Sequence, residues 1–345
     1  MVTSLLKANA LRAKYLTKSS YKQAIQCNRV AVVVGATSGI GEACAHRLAE
    51  NGYSVIAVGR QRPGRAESIL KELKSKSENA ISCLRDNNGE GTDEDMGIPT
   101  HEFFPCDAFS LAEVDNTAKL IMQKHNRIDA LVLTQGMATT QGFTPTSEGN
   151  DEKLTLHYFS RIAMTNALLP ALRKSDIQSG AVVLTVLSGG VHAPYKEFEN
   201  DPELRKKYSV KNAADIAGFY NDLGFDQMAV DEKNQDISFV HASPGFVNTN
   251  WGTEFNFVLR GIVRCMQPLG RKASDCAEYM IGNTVLAKDA GDSLPERLNG
   301  KTSGVIIMGE DGQPKPLTDM HSNTARKFVW DTTVKVLQKA GIDLN

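Results

Sequence analysis

The stretch Val30–Val34 is apolar at every position and runs directly into Gly35-Ala36-Thr37-Ser38-Gly39-Ile40-Gly41, and no other feature of the sequence constrains the fold as strongly. A strand without a polar face has to be covered on both sides. After the turn, Ala43, Cys44, Leu48 and Ala49 recur at helical spacing, so strand, turn and helix read as the opening of a βαβ unit. Gly35 permits the tight turn, while Gly39 and Gly41 remove Cβ atoms that would block a diphosphate and the packing of helix on sheet. The free amides and the positive end of the helix dipole then face an anion. A purely structural glycine turn is the alternative. The position after a buried strand instead points to a dinucleotide cradle formed by Gly35, Thr37, Ser38, Gly39, Ile40 and Gly41. No G-K-[ST] ending follows, which argues against a nucleoside-triphosphate loop.

Further β-branched runs at Ser54–Val58, Glu102–Pro105, Ala130–Leu133, Ala181–Leu187, Ile237–Ala242 and Gly304–Met308 alternate with helical stretches. This pattern predicts an α/β fold of the Rossmann type: a doubly wound, mostly parallel, seven-stranded sheet with helices on both faces. The reading gives a basic arm over residues 1–28 and a single NAD(P)-binding domain over 29–345. A polar surface insertion is expected at about 75–100 and a second excursion at Pro194–Lys207. The strand around SGVIIMG and a late helix with Trp330, Val334 and Leu337 complete the sheet edge and its cover.

The formal net charge of -1 over 345 residues offers no clustered attraction for nucleic acid. The six cysteines show no C-x-x-C spacing and the seven histidines no H-E-x-x-H, so the reading assigns neither metal nor disulfide framework. No apolar run has the length of a membrane span. A cytoplasmic location is expected. The first 29 residues, with six basic residues and no acid, give a mitochondrial presequence as the alternative.

The second strand ends Val58-Gly59-Arg60, without the acid that would bind the ribose hydroxyls of NAD. Arg60 offers a planar fork of donors to a phosphate monoester, and Arg62 and Arg65 add positive potential, so NADP is the expected cofactor. With GATSGIG at 35–41, Asp107 after the third strand and PGFVNT at 244–249, the chain resembles the short-chain dehydrogenase/reductase family from about residue 29 to 310. The resemblance implies that Asp107 hydrogen-bonds the adenine and that Pro244, Gly245, Val247 and Thr249 contact the nicotinamide half. Where the family has N-N-A-G, this chain has Leu133-Thr134-Gln135-Gly136, retaining Gly136 for close approach to the ribose but not the asparagines.

Carbonyl reduction needs a hydride, a proton donor to the developing alkoxide and a second hydrogen bond to the carbonyl. By the resemblance, Ser188 orients the substrate. The family's tyrosine and lysine follow as Y-x-x-x-K, whereas this chain offers Tyr208 and Lys211 one residue closer. Residues three apart still share a helical face, and an ammonium would lower the phenol pKa, so Tyr208 is expected to donate the proton beside Lys211. His157 falls where the family commonly holds a relay water, and the alternative for it is a satisfied core histidine. The amphipathic stretch at about 250–270 is expected to be a lid over a lipophilic or bulky small molecule. A core helix, a homo-oligomer surface and an interfacial membrane contact are its alternatives. A non-catalytic dinucleotide-binding module, serving as redox sensor or scaffold, is the rival to the oxidoreductase.

Overall fold

The run Val30–Val34 forms an interior strand, β1, of a seven-stranded sheet, and all of it but Val30 is buried. The computed structural model describes residues 2–86, 97–249, 257–294 and 304–344. In chain order, α1 (Val2–Tyr15) and α2 (Lys18–Gln26) precede β1, and α3 (Gly39–Glu50), β2 (Ser54–Gly59), α4 (Arg65–Asp86), β3 (Glu102–Pro105), α5 (Leu111–Lys124) and β4 (Ala130–Leu133) follow it. Next come α6 (Glu152–Leu154), a wider π-helical turn (Thr155–Phe159), α7 (Ser160–Leu172), β5 (Val182–Val186), α8 (Val210–Ala229) and β6 (Ser238–Ala242). The chain continues through β7 (Val247–Asn248), α9 (Phe257–Met266), β8 (Arg271–Lys272), α10 (Ala273–Ile281), α11 (Ala287–Asp289), β9 (Val305–Met308) and α12 (Asn323–Lys339).

The sheet runs β3-β2-β1-β4-β5-β6-β9 with every pair parallel, and β7 pairs with β8 apart from it. Each run expected to be a strand is one, with ends shifted by no more than one residue. Side chains of β1 alternate between two cores: Val32 and Val34 join residues of α5, α7, α8 and α12, whereas Ala31 and Val33 join residues of α3, α4 and α10. Both faces are therefore covered, which is why the strands carry no polar alternation. Because β2 and β4 lie on opposite sides of β1, the connections diverge there and open a crevice at the carboxyl ends of the strands.

The basic arm is helical and packed. Arg12 meets Glu50 at 2.8 Å and Glu278 at 3.0 Å, Tyr15 donates to Asp292 at 2.8 Å, and Ala8 and Tyr15 are buried. The expected insertion at 75–100 needs correction in its first part, since α4 continues to Asp86 and places Ser77, Ala80, Ile81 and Leu84 on one buried face. Their i, i+3, i+4, i+7 spacing lies hidden among polar residues. The rest of it, residues 87–96, is outside the described residues. At 194–207 the chain is irregular but anchored: Tyr195, Phe198 and Leu204 are buried, and the Asp201 carboxylate accepts the amides of Arg205, Lys206 and Lys207. Of the expected lid, residues 250–256 fall outside the described residues, and α9 buries Val263 while leaving Phe257, Ile262 and Met266 exposed. No helix among the described residues is long and apolar enough to cross a membrane.

Candidate active site

The turn after β1 is built around glycines that nothing else could replace. Gly35 has φ +84°, and a Cβ there would lie 2.7 Å from Thr134 Oγ1 and 2.9 Å from the Gln135 amide. At Gly41 a Cβ would come within 2.3 Å of the Gly35 carbonyl oxygen, so α3 starts in contact with the turn. Ser38 is the exposed N-cap of α3 and makes no side-chain cap bond. That leaves the first-turn amides without this partner, a geometry suited to a phosphate. The Thr249 methyl would be 3.2 Å from a Cβ on Gly39, so the segment after β6 returns over the cradle. The diphosphate of a dinucleotide fits these residues.

At the end of β2, Thr37 lies against Gly59, and Arg60 and Arg62 are exposed. Arg65 does not contribute the free potential expected of it. It donates to the Thr37 carbonyl at 2.8 Å and pairs with Glu42 at 3.0 Å and Glu72 at 2.9 Å, bracing the loop. Asp107 follows β3, and its Oδ1 accepts the Phe109 amide at 3.2 Å. Gly136 follows β4 with the His157 ring beside it, at 3.4 Å from where a Cβ would stand.

The missing asparagines of β4 are replaced by residues the sequence reading overlooked. Thr134 Oγ1 donates to the Val34 carbonyl at 2.7 Å, tying β4 to β1. The fully buried Arg161 donates to Thr185 Oγ1 at 2.5 Å, to the Val186 carbonyl at 3.1 Å and to the Gln135 carbonyl at 2.7 Å, tying β4 to β5. Burial pulls its pKa down to about 9. His157 serves the same framework. Its Nε2 accepts the Met137 amide at 3.0 Å, and burial, with Arg161 and Lys153 adding, pushes its pKa down to about 3. The half-buried ring is neutral, and its Nε2 lone pair is occupied by the Met137 amide, which supports a framework role over the expected proton relay.

Tyr208 and Lys211 do not come together. Lys211, exposed, is held by Asp215, whereas Tyr208 Oη accepts from Lys153 Nζ at 2.7 Å and its ring packs edge-on against Phe143. Burial, followed by the Asp151 charge, pushes the phenol up to about 12, opposite to the activation expected. Tyr208 is also in the wrong place. The residue of α8 facing Ser188 is Gly218, where a Cβ would lie 2.5 Å from Ser188 Oγ. At ~1.5 Å per residue, Gly218 is about 12 Å along the axis from the start of α8 at Val210. The physical cause is register: Ser209 caps α8, so Tyr208 precedes the helix. Four residues before Gly218, at the spacing of Y-x-x-x-K, stands the exposed Ala214.

Beside Ser188, the space next to Gly218 is filled by His192, whose ring would be 2.3 Å from a Cβ there. His192 Nδ1 lies 2.8 Å from the Ser188 carbonyl oxygen and 3.3 Å from Ser188 Oγ, and the other side of the ring lies 3.1 Å from Asp222 Oδ2. The buried Asp222 also meets His321 Nε2 at 3.0 Å and His241 Nδ1 at 2.5 Å, and His241 Nε2 accepts the Ser188 amide at 3.1 Å. Burial alone would raise the Asp222 pKa. The hydrogen bonds from His241, His192 and His321 outweigh it and hold the carboxyl well below the usual range. None of these four was singled out from sequence. The available signals were a histidine four residues after Ser188 and an acid amid Phe219, Tyr220, Leu223 and Phe225.

Among the described residues, two groups of side chains bring ligand-type atoms within 4.8 Å of one another: His192, Asp222 and His321, and Glu42, His46 and Glu72. In the first, His321 Nδ1 accepts the Thr318 amide at 3.0 Å, so its Nε2 carries the proton and points a hydrogen at Asp222. A protonated nitrogen has no lone pair for a cation. In the second, Arg65 bridges the two carboxylates at 3.0 and 2.9 Å. Both groups are hydrogen-bonded and ion-paired networks.

Residues 29–90 match the family described as short chain dehydrogenase. The NmrA-like family domain-containing oxidoreductase notO of Aspergillus sp. is 27% identical over 220 residues, covering 64% of this chain and 60% of that protein. This chain therefore matches less than two thirds of that relative's length. Oxidoreductase AN1596 of Emericella nidulans is 28% identical over 337 residues, covering 91% of this chain and 94% of that protein. The structure of NADPH-bound carbonyl reductase from chicken fatty liver superposes with a TM-score of 0.51 at 16% identity, covering 84% of this chain and 99% of that one, a likeness of fold.

Proposed function

This chain belongs to the short-chain dehydrogenase/reductase family, and from that premise we propose that it is an NADP(H)-dependent oxidoreductase interconverting a carbonyl and an alcohol on a lipophilic or bulky small molecule. One observation carries the reading. The Gly35–Gly41 turn, Arg60, Asp107, Gly136, Ser188 and the Pro244–Thr249 segment all follow the carboxyl ends of parallel strands and so line one edge of the sheet. The diphosphate is assigned to the amides around Thr37, Ser38, Gly39, Ile40 and Gly41, the adenine to Asp107, and the nicotinamide half to Gly136, Pro244, Gly245, Val247 and Thr249. Arg60 is assigned the 2′-phosphate, because it is exposed at the end of β2 where no acid stands. The oxidoreductase names of notO and AN1596 support the reaction class.

A reduced nicotinamide bound at this edge supplies a hydride to a carbonyl carbon. Ser188 Oγ, beside the ends of β5 and β6, is the hydroxyl this chain offers to the carbonyl oxygen. Exposed Val191, Phe246, Phe257, Ile262 and Met266 favour an apolar substrate. Titration calorimetry with NADPH and NADH tests the cofactor: NADPH should bind at least about tenfold tighter, and Arg60→Ala should erase most of that preference. Saturation by neither dinucleotide on folded protein refutes the reading. The non-catalytic module is favoured by the Ala214 and Gly218 pair. It is the correct reading if wild-type protein binds NADPH and consumes none with a panel of hydrophobic aldehydes and ketones.

A further inference from the structure

The oxidoreductase reading leaves a gap, because Tyr208 precedes α8 whereas the residue of α8 that faces Ser188 is Gly218, about 12 Å along the axis from the helix start at Val210. We propose that His192 fills this gap as an imidazolium, the proton reservoir behind Ser188, passing its Nδ1 proton through Ser188 Oγ to the alkoxide; this role rests on the oxidoreductase reading.

Hydrogen-bond accounting fixes the charge. The Ser188 carbonyl oxygen, 2.8 Å from His192 Nδ1, can only accept, so Nδ1 carries a proton. The Asp222 carboxylate, 3.1 Å away on the other side, likewise accepts from Nε2. The remaining partners of Asp222 are neutral donors. His241 gives Nδ1–H to Asp222 while its Nε2 accepts the Ser188 amide, and His321 gives Nε2–H while its Nδ1 accepts the Thr318 amide. One carboxylate thus faces one cation, with two neutral imidazoles completing its acceptor sites. Other charged groups agree with this balance. Asp215 of α8 holds the Ala193 amide and adds negative potential, the His241 ring stacks on His192 at 5.8 Å, and Lys315 beside Gly190 lies 3.7 Å from Asp311. Burial lowers the His192 pKa, but the bond to Asp222, its charge and the Ser188 carbonyl together raise it above the ordinary value.

The proton balance is complete. As hydride reaches the carbonyl carbon, the C=O π pair becomes a lone pair on oxygen. That oxygen takes the Ser188 Oγ proton, and Ser188 Oγ takes the Nδ1 proton, 3.3 Å away. His192 ends neutral and the alcohol is formed; oxidation of the alcohol runs the same path backwards. His192 holds the position without touching substrate, so its role has to be read from charge state and pH dependence.

Two measurements test this. In uniformly 15N-labelled protein without ligand, the His192 ring, identified by the loss of its signals in His192→Gln, should show two protonated nitrogens at pH 7, and Asp222→Asn should convert it to the neutral form. A neutral His192 in wild type at pH 6.5 overturns the proposal, whatever the kinetics. In turnover with NADPH, wild type should lose reduction rate as pH rises through the His192 pKa. His192→Gln should keep NADPH affinity within about twofold, lose about 100-fold in kcat and lose that pH limb. Retention of rate and limb in the variant also overturns it. Failure of wild type to bind NADPH or to reduce any carbonyl instead defeats the oxidoreductase reading on which the role depends.

Discussion

Replacing Asp222 by asparagine preserves the shape of the side chain and removes the charge on which three imidazoles converge. Oδ2 accepts from His192 at 3.1 Å and His321 at 3.0 Å, and Oδ1 from His241 at 2.5 Å. Whichever way the amide turns, its NH2 faces at least one ring N–H, so a buried donor loses its acceptor. A hydrogen bond to a charged group contributes about 1.5–3 kcal/mol, and an unsatisfied buried donor costs about 1–3 kcal/mol. The sum, with the remaining bonds weakened, comes to about 3–5 kcal/mol, the range for breaking a buried ion pair. With a urea m-value of roughly 3 kcal/mol/M, the unfolding midpoint should fall by about 1 M or more. The pH dependence has a definite sign. Asp222, held below its ordinary pKa, contributes fully above about pH 4 and loses that contribution as pH falls. His192, raised above its ordinary pKa, contributes fully below about pH 6.5 and loses that contribution as pH rises through its folded value. The difference between wild type and variant should therefore be greatest between about pH 4 and 6.5 and shrink on either side. His101, pushed down to about 4, and His157, pushed down to about 3, are shared by both proteins and cancel. A midpoint unchanged at pH 5.5, or a difference that is the same at pH 5.5 and 9, refutes the network.

Tyr208→Phe should leave NADPH-dependent turnover within about twofold of wild type, because its hydroxyl is bonded to Lys153 and Gly218, not Tyr208, faces Ser188; a hundredfold loss in steady-state assays would return the tyrosine to the chemistry. Arg161→Ala removes the donor to three acceptors at the ends of β4 and β5 and should cost at least about 3 kcal/mol in urea unfolding. A loss under about 1 kcal/mol would mean that water takes over those acceptors.

The fold was legible because burial and composition coincide along the strands. Val30–Val34 and Ala130–Leu133 are apolar throughout, and Val182–Val186 is so but for Thr185, because each is covered on both faces, the condition of a parallel sheet flanked by helices. The same logic failed at α4, where Ala80, Ile81 and Leu84 bury against α2 inside a segment made mostly of polar and charged residues. A narrow apolar stripe of this kind does not change the mean polarity of its window. The cradle was legible for a different reason: steric exclusion at Gly35 and Gly41 is a local property of turn and neighbour, so letters at fixed spacing carry it.

The chemistry beside Ser188 was not legible from a motif, because it is set by which turn of α8 faces the end of β5. Gly218 is that turn, and the sign of it in the sequence was a glycine inside a long helix, at about 1 kcal/mol of propensity cost, which calls for a close neighbour. Once Gly218 is taken as the contact, the rest follows by helical steps. Asp222 lies one turn on from Gly218, as His192 lies four residues on from Ser188, and the two four-residue steps face each other. An acid in that buried stretch of α8 demands a partner of the opposite charge. No Lys or Arg pairs with Asp222 among the described residues, and the charge there is met by histidine. A glycine on the face of α8 that meets Ser188 therefore does more than leave a site empty. It makes room for an imidazole from the neighbouring loop, and the carboxylate below determines that this imidazole carries a proton.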